Sequence, residues 1–122
     1  MKHSRRIATV AAVLLAVGAA GFGGVARAEI RAVDGHLWSA SSVAEKRAYL
    51  IGIANTVAVN RALQVKHGNL DAQSANNRIA AALDAGTIDR AVDRIDAWYA
   101  ANPARKDAPV MGVVWMSMVK GN

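Results

Sequence analysis

Ile88-Asp89-Arg90-Ala91-Val92-Asp93-Arg94-Ile95-Asp96-Ala97-Trp98-Tyr99 is the stretch that decides the fold class. Its apolar residues Ile88, Ala91, Val92, Ile95, Trp98 and Tyr99 recur at i, i+3, i+4, i+7 spacing, which puts them on one face of a helix. Charged residues fill most of the remaining positions, as on a helix that buries one side only. Thr87 fits the N-cap, and Asp89 is favourable in the first turn, near the positive end of the helix dipole. Asn102-Pro103 ends the helix, because a residue before proline avoids the helical region. Nowhere does the chain show strand-like alternation or an internal repeat. The expected fold is therefore all-α.

Working toward the N-terminus, Gly86 closes a second, weaker helix over Asp71 to Ala85, with Ile79, Ala82 and Leu83 as its apolar stripe. Before it, Ser42-Val43-Ala44-Glu45 is a capping box, in which the serine accepts from an early helical N–H and the glutamate reaches back. The long helix it opens should run to about Lys66, with Gly68 as the stop. On a helical wheel Ala44, Ala48, Leu50, Ile51, Ala54, Val57, Ala58, Ala62 and Val65 share a wide apolar arc. Glu45, Gly52, Thr56 and Asn60 lie on the other side together with Tyr49. Residues Glu29 to Ala40 read as an arm, with Asp34-Gly35 as a turn signal and Leu37 and Trp38 as apolar anchors. Toward the C-terminus, Ala104 to Ala108 is a polar connection, and Pro109 suits the first position of a last helix. Eight of the ten residues from Val110 to Val119 are Val, Met or Trp, so this helix reads as buried or as part of an interface. The sum is a small bundle of about four helices over residues 29–122, forming one domain.

The first 28 residues read as a cleaved secretory signal peptide. Lys2, Arg5 and Arg6 form a positive start, Ile7 to Val17 is an apolar run, and Ala26-Arg27-Ala28 is an A-x-A cleavage site. Ile7 to Val25 is 19 residues, just enough to span a bilayer. Four glycines in that stretch (18, 21, 23 and 24) weaken it as a permanent membrane helix. Ser4-Arg5-Arg6 hints at a twin-arginine signal, but no large apolar residue follows at Ala8 or Thr9, so the general secretory route is favoured. The expected location is periplasmic or secreted.

Removal of the signal changes the charge argument. The whole chain is +6, but Lys2, Arg5, Arg6 and Arg27 depart with it, leaving eleven basic residues against nine acidic ones, a net charge of +2. That balance gives nucleic-acid binding no electrostatic basis. The chain has no cysteine. An exported domain without disulfides must hold itself together by packing alone.

Each candidate chemical site has a plainer structural reading. His36 and His67 have no neighbours that complete a metal-ligand set. Asp89, Asp93 and Asp96 are interleaved with Arg90 and Arg94, which reads as a solvated charged face. Ser39, Ser41, Ser42, Ser74 and Ser117 sit in no nucleophile motif, and no phosphate loop is present. No metal or cofactor is expected. Trp38, Trp98, Tyr99 and Trp115 read as bulky core fillers in a mature domain without phenylalanine. Met111, Met116 and Met118 suit either core packing or an adaptable groove. Tyr49 is the exception among the aromatics. It falls among polar residues beside Ile53, so Tyr49, Gly52, Ile53, Thr56 and Asn60 form the candidate partner-binding face.

Two segments, Glu45-Lys46-Arg47-Ala48-Tyr49-Leu50-Ile51-Gly52 and Trp98-Tyr99-Ala100-Ala101-Asn102-Pro103, resemble small exported bacterial proteins of the Rap1a/Tai immunity type. The resemblance implies an all-helical periplasmic domain that binds an amidase effector and blocks it. The chain departs from that pattern in lacking cysteine. The leading expectation is a non-enzymatic protein-binding or accessory module. Its partner would be another periplasmic or secreted protein, with a second copy of the chain as a further candidate. The competing expectation is a small enzyme or ligand carrier with a pocket between its helices.

Overall fold

The computed structural model describes residues 31–121, so the signal-peptide reading of residues 1–28 lies outside the described residues. Five α-helices follow in order: α1 (Gly35–Ala40), α2 (Val43–Lys66), α3 (Ala75–Asp84), α4 (Ile88–Ala101) and α5 (Val110–Val114). A short 3-10 turn, Pro103–Arg105, joins α4 to α5, and a π-helical turn, Trp115–Val119, continues α5. No strand occurs among the described residues; the only β-type pairing is an isolated bridge between Asp34 and Pro109.

The helix starts follow the local chemistry closely. Ser42 and Glu45 form the full capping box of α2, with the Ser42 N–H donating to Glu45 Oε2 at 2.7 Å. Thr87 caps α4 by accepting from the Arg90 N–H. Ser74 caps α3, so that helix begins later than Asp71, the residue expected from sequence. Asp71 instead forms a turn in which its Oδ1 accepts from the Gln73 N–H. Gly68, the one described residue with positive φ (67°), lies just beyond the α2 C-terminus and lets the chain leave the helix.

Three expectations need correction. The arm before α2 contains a fifth helix, α1, capped by Asp34, whose side chain accepts from the Leu37 N–H at 3.0 Å. The Asp34-Gly35 pair therefore starts a helix rather than making a free turn. Gly35 is buried so tightly that a Cβ there would collide with the Tyr99 ring and lie 2.8 Å from the Lys106 carbonyl oxygen. Its N–H donates to that carbonyl at 2.7 Å. Of the two supposed anchors, only Trp38 is buried, while Leu37 is 56% exposed.

The last helix is not one regular α-helix. Pro109 is its N-cap, one position earlier than expected, and the helix widens after Val114. The Ser117 hydroxyl donates to the Val113 carbonyl at 2.7 Å, and Arg94 Nη2 donates to the Ser117 carbonyl at 3.0 Å. These side-chain contacts satisfy carbonyls at a turn whose ladder has shifted to the wider π pattern.

The core joins Trp38 of α1, Leu50 of α2, Leu83 of α3, and Ala91, Val92, Ile95 and Tyr99 of α4 with Val110, Val113, Val114 and Met118. The C-terminal segment sits deep among them, as its apolar composition implied. Trp115 is the correction there: it is only half-buried and lies under the Arg78 guanidinium, 4.9 Å from the ring centre. All six apolar residues of the α4 stripe are buried or partly buried.

Candidate functional site

The five residues expected to form a wet contact face do not share one surface. Tyr49 is half-buried and meets Trp38 edge to face, with ring centres 6.1 Å apart. Its hydroxyl pKa is pushed up by burial. Ile53 packs against the core. Asn60 is half-buried, and its Oδ1 accepts from Gln64 Nε2 at 2.9 Å. Gln64 Oε1 in turn accepts from Asn77 Nδ2 at 2.7 Å, tying α2 to α3. Only Gly52 and Thr56 are exposed.

The wheel was right that α2 has two sides, with Leu50 and Val57 inward and Glu45, Gly52 and Thr56 outward, but the boundary between the sides needs moving. The inward seam runs through Lys46, Leu50, Ile53, Val57, Asn60 and Gln64 at spacings of four and three. Most of the proposed apolar arc points outward. Ala44, Ala48, Ile51, Ala58, Ala62 and Val65 are all exposed; Leu50 and Val57 are buried and Ala54 partly so at the arc's edge. Val59 and Leu63 widen the outward face. The large aliphatic residues there, Ile51, Val59, Leu63 and Val65, are between 47% and 61% exposed. Single exposed aliphatics are ordinary on a protein surface, but four on the outward side of one helix make it a candidate interaction site. A 24-residue helix is about 36 Å long, so the strip crosses the molecule along one helix.

Charge on this outward side stands at its two ends and along one edge, where Arg47 and Arg61 are exposed. Glu45 stands at the N-terminal end and Lys66 at the C-terminal end, with Asn55 midway. Alongside it a groove of about 380 Å³ opens between α2 and α3, lined by Ile51, Asn55, Ala58 and Arg61 from α2 and by Leu83 and Asp84 from α3.

The charged residues of α4 do more than solvate its surface. Asp96 Oδ1 accepts from Trp38 Nε1 at 2.7 Å and pairs with Lys46 Nζ at 3.0 Å. The same ammonium lies 5.5 Å from the centre of the Trp38 ring. One carboxylate thus pins α1 and α2 onto α4. This corrects the reading of Asp96 as part of a solvated face. Asp89 pairs with Arg47 at an exposed position. Tyr99 donates its hydroxyl to the Ala108 carbonyl at 2.6 Å, and burial, aided by the Asp34 carboxylate, pushes its pKa up to about 12.

A second groove, about 560 Å³, is lined by Thr87, Arg90, Asp93, Arg94, Ala82 and Met118. Its two guanidinium groups suit a small anion, although Arg94 is already engaged with the Ser117 carbonyl. His36 and His67 are both exposed. Among the described residues no three His, Asp or Glu side chains are grouped to hold a metal ion, and no helix is long and apolar enough to cross a membrane.

The structure thus defines an all-α bundle whose most distinctive surface is the outward strip of α2. No family model, curated protein or solved structure matches the chain.

Sequence reasoning passed over Val59 and Leu63, although their positions carried a signal. Both lie on the side of the wheel opposite Leu50 and Val57 and yet are aliphatic. A helix with apolar residues on both sides has one face to bury in its own core and another left for something else.

Proposed function

We propose that the chain is an exported, non-enzymatic protein-binding module. In this reading residues 1–28 direct it to the periplasm or out of the cell and are removed, and the helical domain then acts through contact with another protein. The observation that carries the reading is the outward strip of α2, where Ile51, Val59, Leu63 and Val65 stand in water on a continuous helix. Covering apolar surface yields roughly 25 cal/mol per Å², so a partner gains most by docking along such a strip. Between these residues lie the small Ala48, Gly52, Ala58 and Ala62, which let a partner's backbone come close, and the polar Asn55 and Thr56. Immunity of the Rap1a/Tai type, in which the partner is an amidase effector, is one form of this function. The Glu45–Gly52 and Trp98–Pro103 segments support that form.

The alternative, a small enzyme or ligand carrier, finds its best support in the groove beside Arg90 and Arg94. That groove offers cationic groups for an anion, with the Thr87 hydroxyl and the Asp93 carboxylate also in its lining.

The test uses protein purified from its exported location. Its N-terminal residue should be Glu29, and retention of Arg5 and Arg6 would remove the export part of the proposal. Leu63→Glu should leave the melting temperature within a few degrees of wild type while abolishing the protein contacts that wild type makes through this face. Unchanged contacts in the variant would contradict the binding reading. Turnover or anion binding lost on Arg90→Ala would favour the alternative.

A further inference from the structure

We infer that the groove between α2 and α3 takes an extended, apolar segment of the partner protein, about four or five residues long, whose backbone is held by Arg61 and Asp84. The inference rests on the reading of the chain as a protein-binding module and names the chemistry of what it binds.

The first argument is the shape and lining of the groove. Val57 and Leu83 line it although both are buried, and Ile51 and Ile88 add to its apolar wall. A concave site of about 380 Å³ with an apolar lining and a few polar groups has the ordinary form of a ligand pocket. Ile51 and Arg61 both line it and are ten residues apart on α2, so it runs about 15 Å along the helix axis. An extended chain covers about that distance in four or five residues, with alternate side chains on one side. Ile51, Asn55 and Ala58 are also exposed on α2, so the groove borders the outward strip.

The second argument is polar complementarity. The polar side chains of the lining are Asn55, Arg61 and Asp84. Among the described residues none of the three makes an ion pair or a side-chain hydrogen bond. Arg61 and Asp84 cancel in charge, so the groove suits a neutral occupant better than an anion or a cation. Arg61 donates, Asp84 accepts and Asn55 does both. A peptide backbone carries the same two functions on nearly every residue. A helix uses them within itself, whereas an extended segment leaves them free for the groove.

Asn77 adds a further acceptor at the Arg61 end. Arg61 also lines a smaller cavity of about 120 Å³, together with Leu70, Asn77 and Ala81. Asn77 is buried, and its Nδ2 donates to the Asp71 carbonyl at 2.6 Å and to Gln64 Oε1 at 2.7 Å, which fixes the orientation of the amide. Its Oδ1 is the one buried side-chain atom among the described residues without a hydrogen-bond partner. A buried acceptor left unpaired is costly and calls for a donor. The oxygen is closed off in the free domain, and Leu70, 48% exposed, lines the cavity beside it. Displacement of Leu70 by the end of the bound segment brings a backbone N–H to that oxygen.

An NMR titration of the exported protein with the capped peptide acetyl-Leu-Ser-Leu-Ser-amide tests the inference. In the extended form its leucines share the side that meets the groove, and its serines face water. The peptide should shift the backbone amide signals of Val57, Arg61, Leu83 and Ile88 and the side-chain amide of Asn77, saturating at about millimolar concentration. The same peptide with serine in place of leucine should not bind. Ala58→Phe, which fills the groove from an exposed position, should abolish the shifts and leave the thermal melt unchanged. Arg61→Ala should weaken binding about tenfold, as for loss of a hydrogen bond to a charged group, again without moving the melt. The inference is overturned if no saturable shift appears at about 10 mM peptide, too weak for specific recognition. Shifts confined to Val59 and Leu63 on the outward strip overturn it too, as does an Ala58→Phe variant that binds like wild type. Decanoate is the charged control: if it binds more tightly than the peptide and loses affinity on Arg61→Ala, the groove is an anion site and the inference fails. If the peptide fails while Leu63→Glu still abolishes contact with another protein, the inference falls and the binding-module reading stands. If neither effect is seen, both fall.

Discussion

Helices α4 and α2 carry similar amounts of apolar sequence and teach opposite lessons about reading it. In α4 the aliphatic and aromatic residues are confined to one stripe, and Asp89, Arg90, Asp93 and Arg94 hold the other side in water. The stripe has one possible destination, and the structure buries it there. In α2 apolar residues occur all round the helix. The buried seam includes Lys46, Asn60 and Gln64, whereas Ile51, Val59, Leu63 and Val65 are exposed. Amphipathicity fixes which way a helix faces only when the polar side is polar. Where both sides are apolar, orientation is decided by what the rest of the fold can pack against. On α2 that is Trp38 of α1, the α4 stripe, and the Asn77–Gln64 link to α3.

The link between the two helices offers the largest of the smaller tests. Asp96 of α4 holds both Trp38 and Lys46. Asp96→Ala should cost about 1–2 kcal/mol in denaturant melts, the range for a hydrogen bond to a charged group discounted for partial exposure to water. Asp96→Asn should cost less, because an amide oxygen still accepts from the indole N–H. A loss below about 0.5 kcal/mol for the alanine variant, typical of a neutral surface change, would mean that α1 docks without this contact.

Tyr99, on the buried side of α4, gives a smaller effect with a pH signature. Tyr99→Phe should cost about 0.5–1.5 kcal/mol near neutral pH through loss of the bond to the Ala108 carbonyl. Its folded-state pKa is raised to about 12 from an ordinary value of 10.0. The neutral phenol is therefore the form that folding favours. The stability it contributes is fully present below pH 10 and is lost as pH rises toward 12. Wild type should accordingly converge on Tyr99→Phe across that window in urea melts. A constant gap between the two up to pH 12 would show that the hydroxyl is free to ionise in the folded state.

Much of the fold was legible because local signals agreed with the final packing. The Ser42–Glu45 box, Thr87, Gly68 and Pro103 mark their boundaries by chemistry that acts within a turn. Helix α1 was missed because six residues are too few for a periodic pattern. Its evidence is a cap at Asp34 and a glycine at position 35 whose necessity becomes visible only with Tyr99 and Lys106 beside it. The π-helical turn was missed for a related reason: Arg94 must arrive from another helix to take the Ser117 carbonyl. The candidate surface was legible only in part. Gly52 and Thr56 do lie outward, but Tyr49 and Ile53 are drawn inward by Trp38 and the core, contacts that no spacing rule within α2 contains.

The two-faced character of α2 is the central claim, and the same substitution on each face tests it. Leu50 is fully buried, and Leu63, thirteen residues along the same helix, is 49% exposed. Equilibrium unfolding should show Leu50→Ala losing about 2–5 kcal/mol, as expected for a cavity in a packed core. Leu63→Ala should remain within about 0.5 kcal/mol of wild type, because its side chain meets mainly water in the single domain. Comparable losses from the two variants would contradict the account, since Leu63 would then be part of the core and α2 would have no face left to offer a partner.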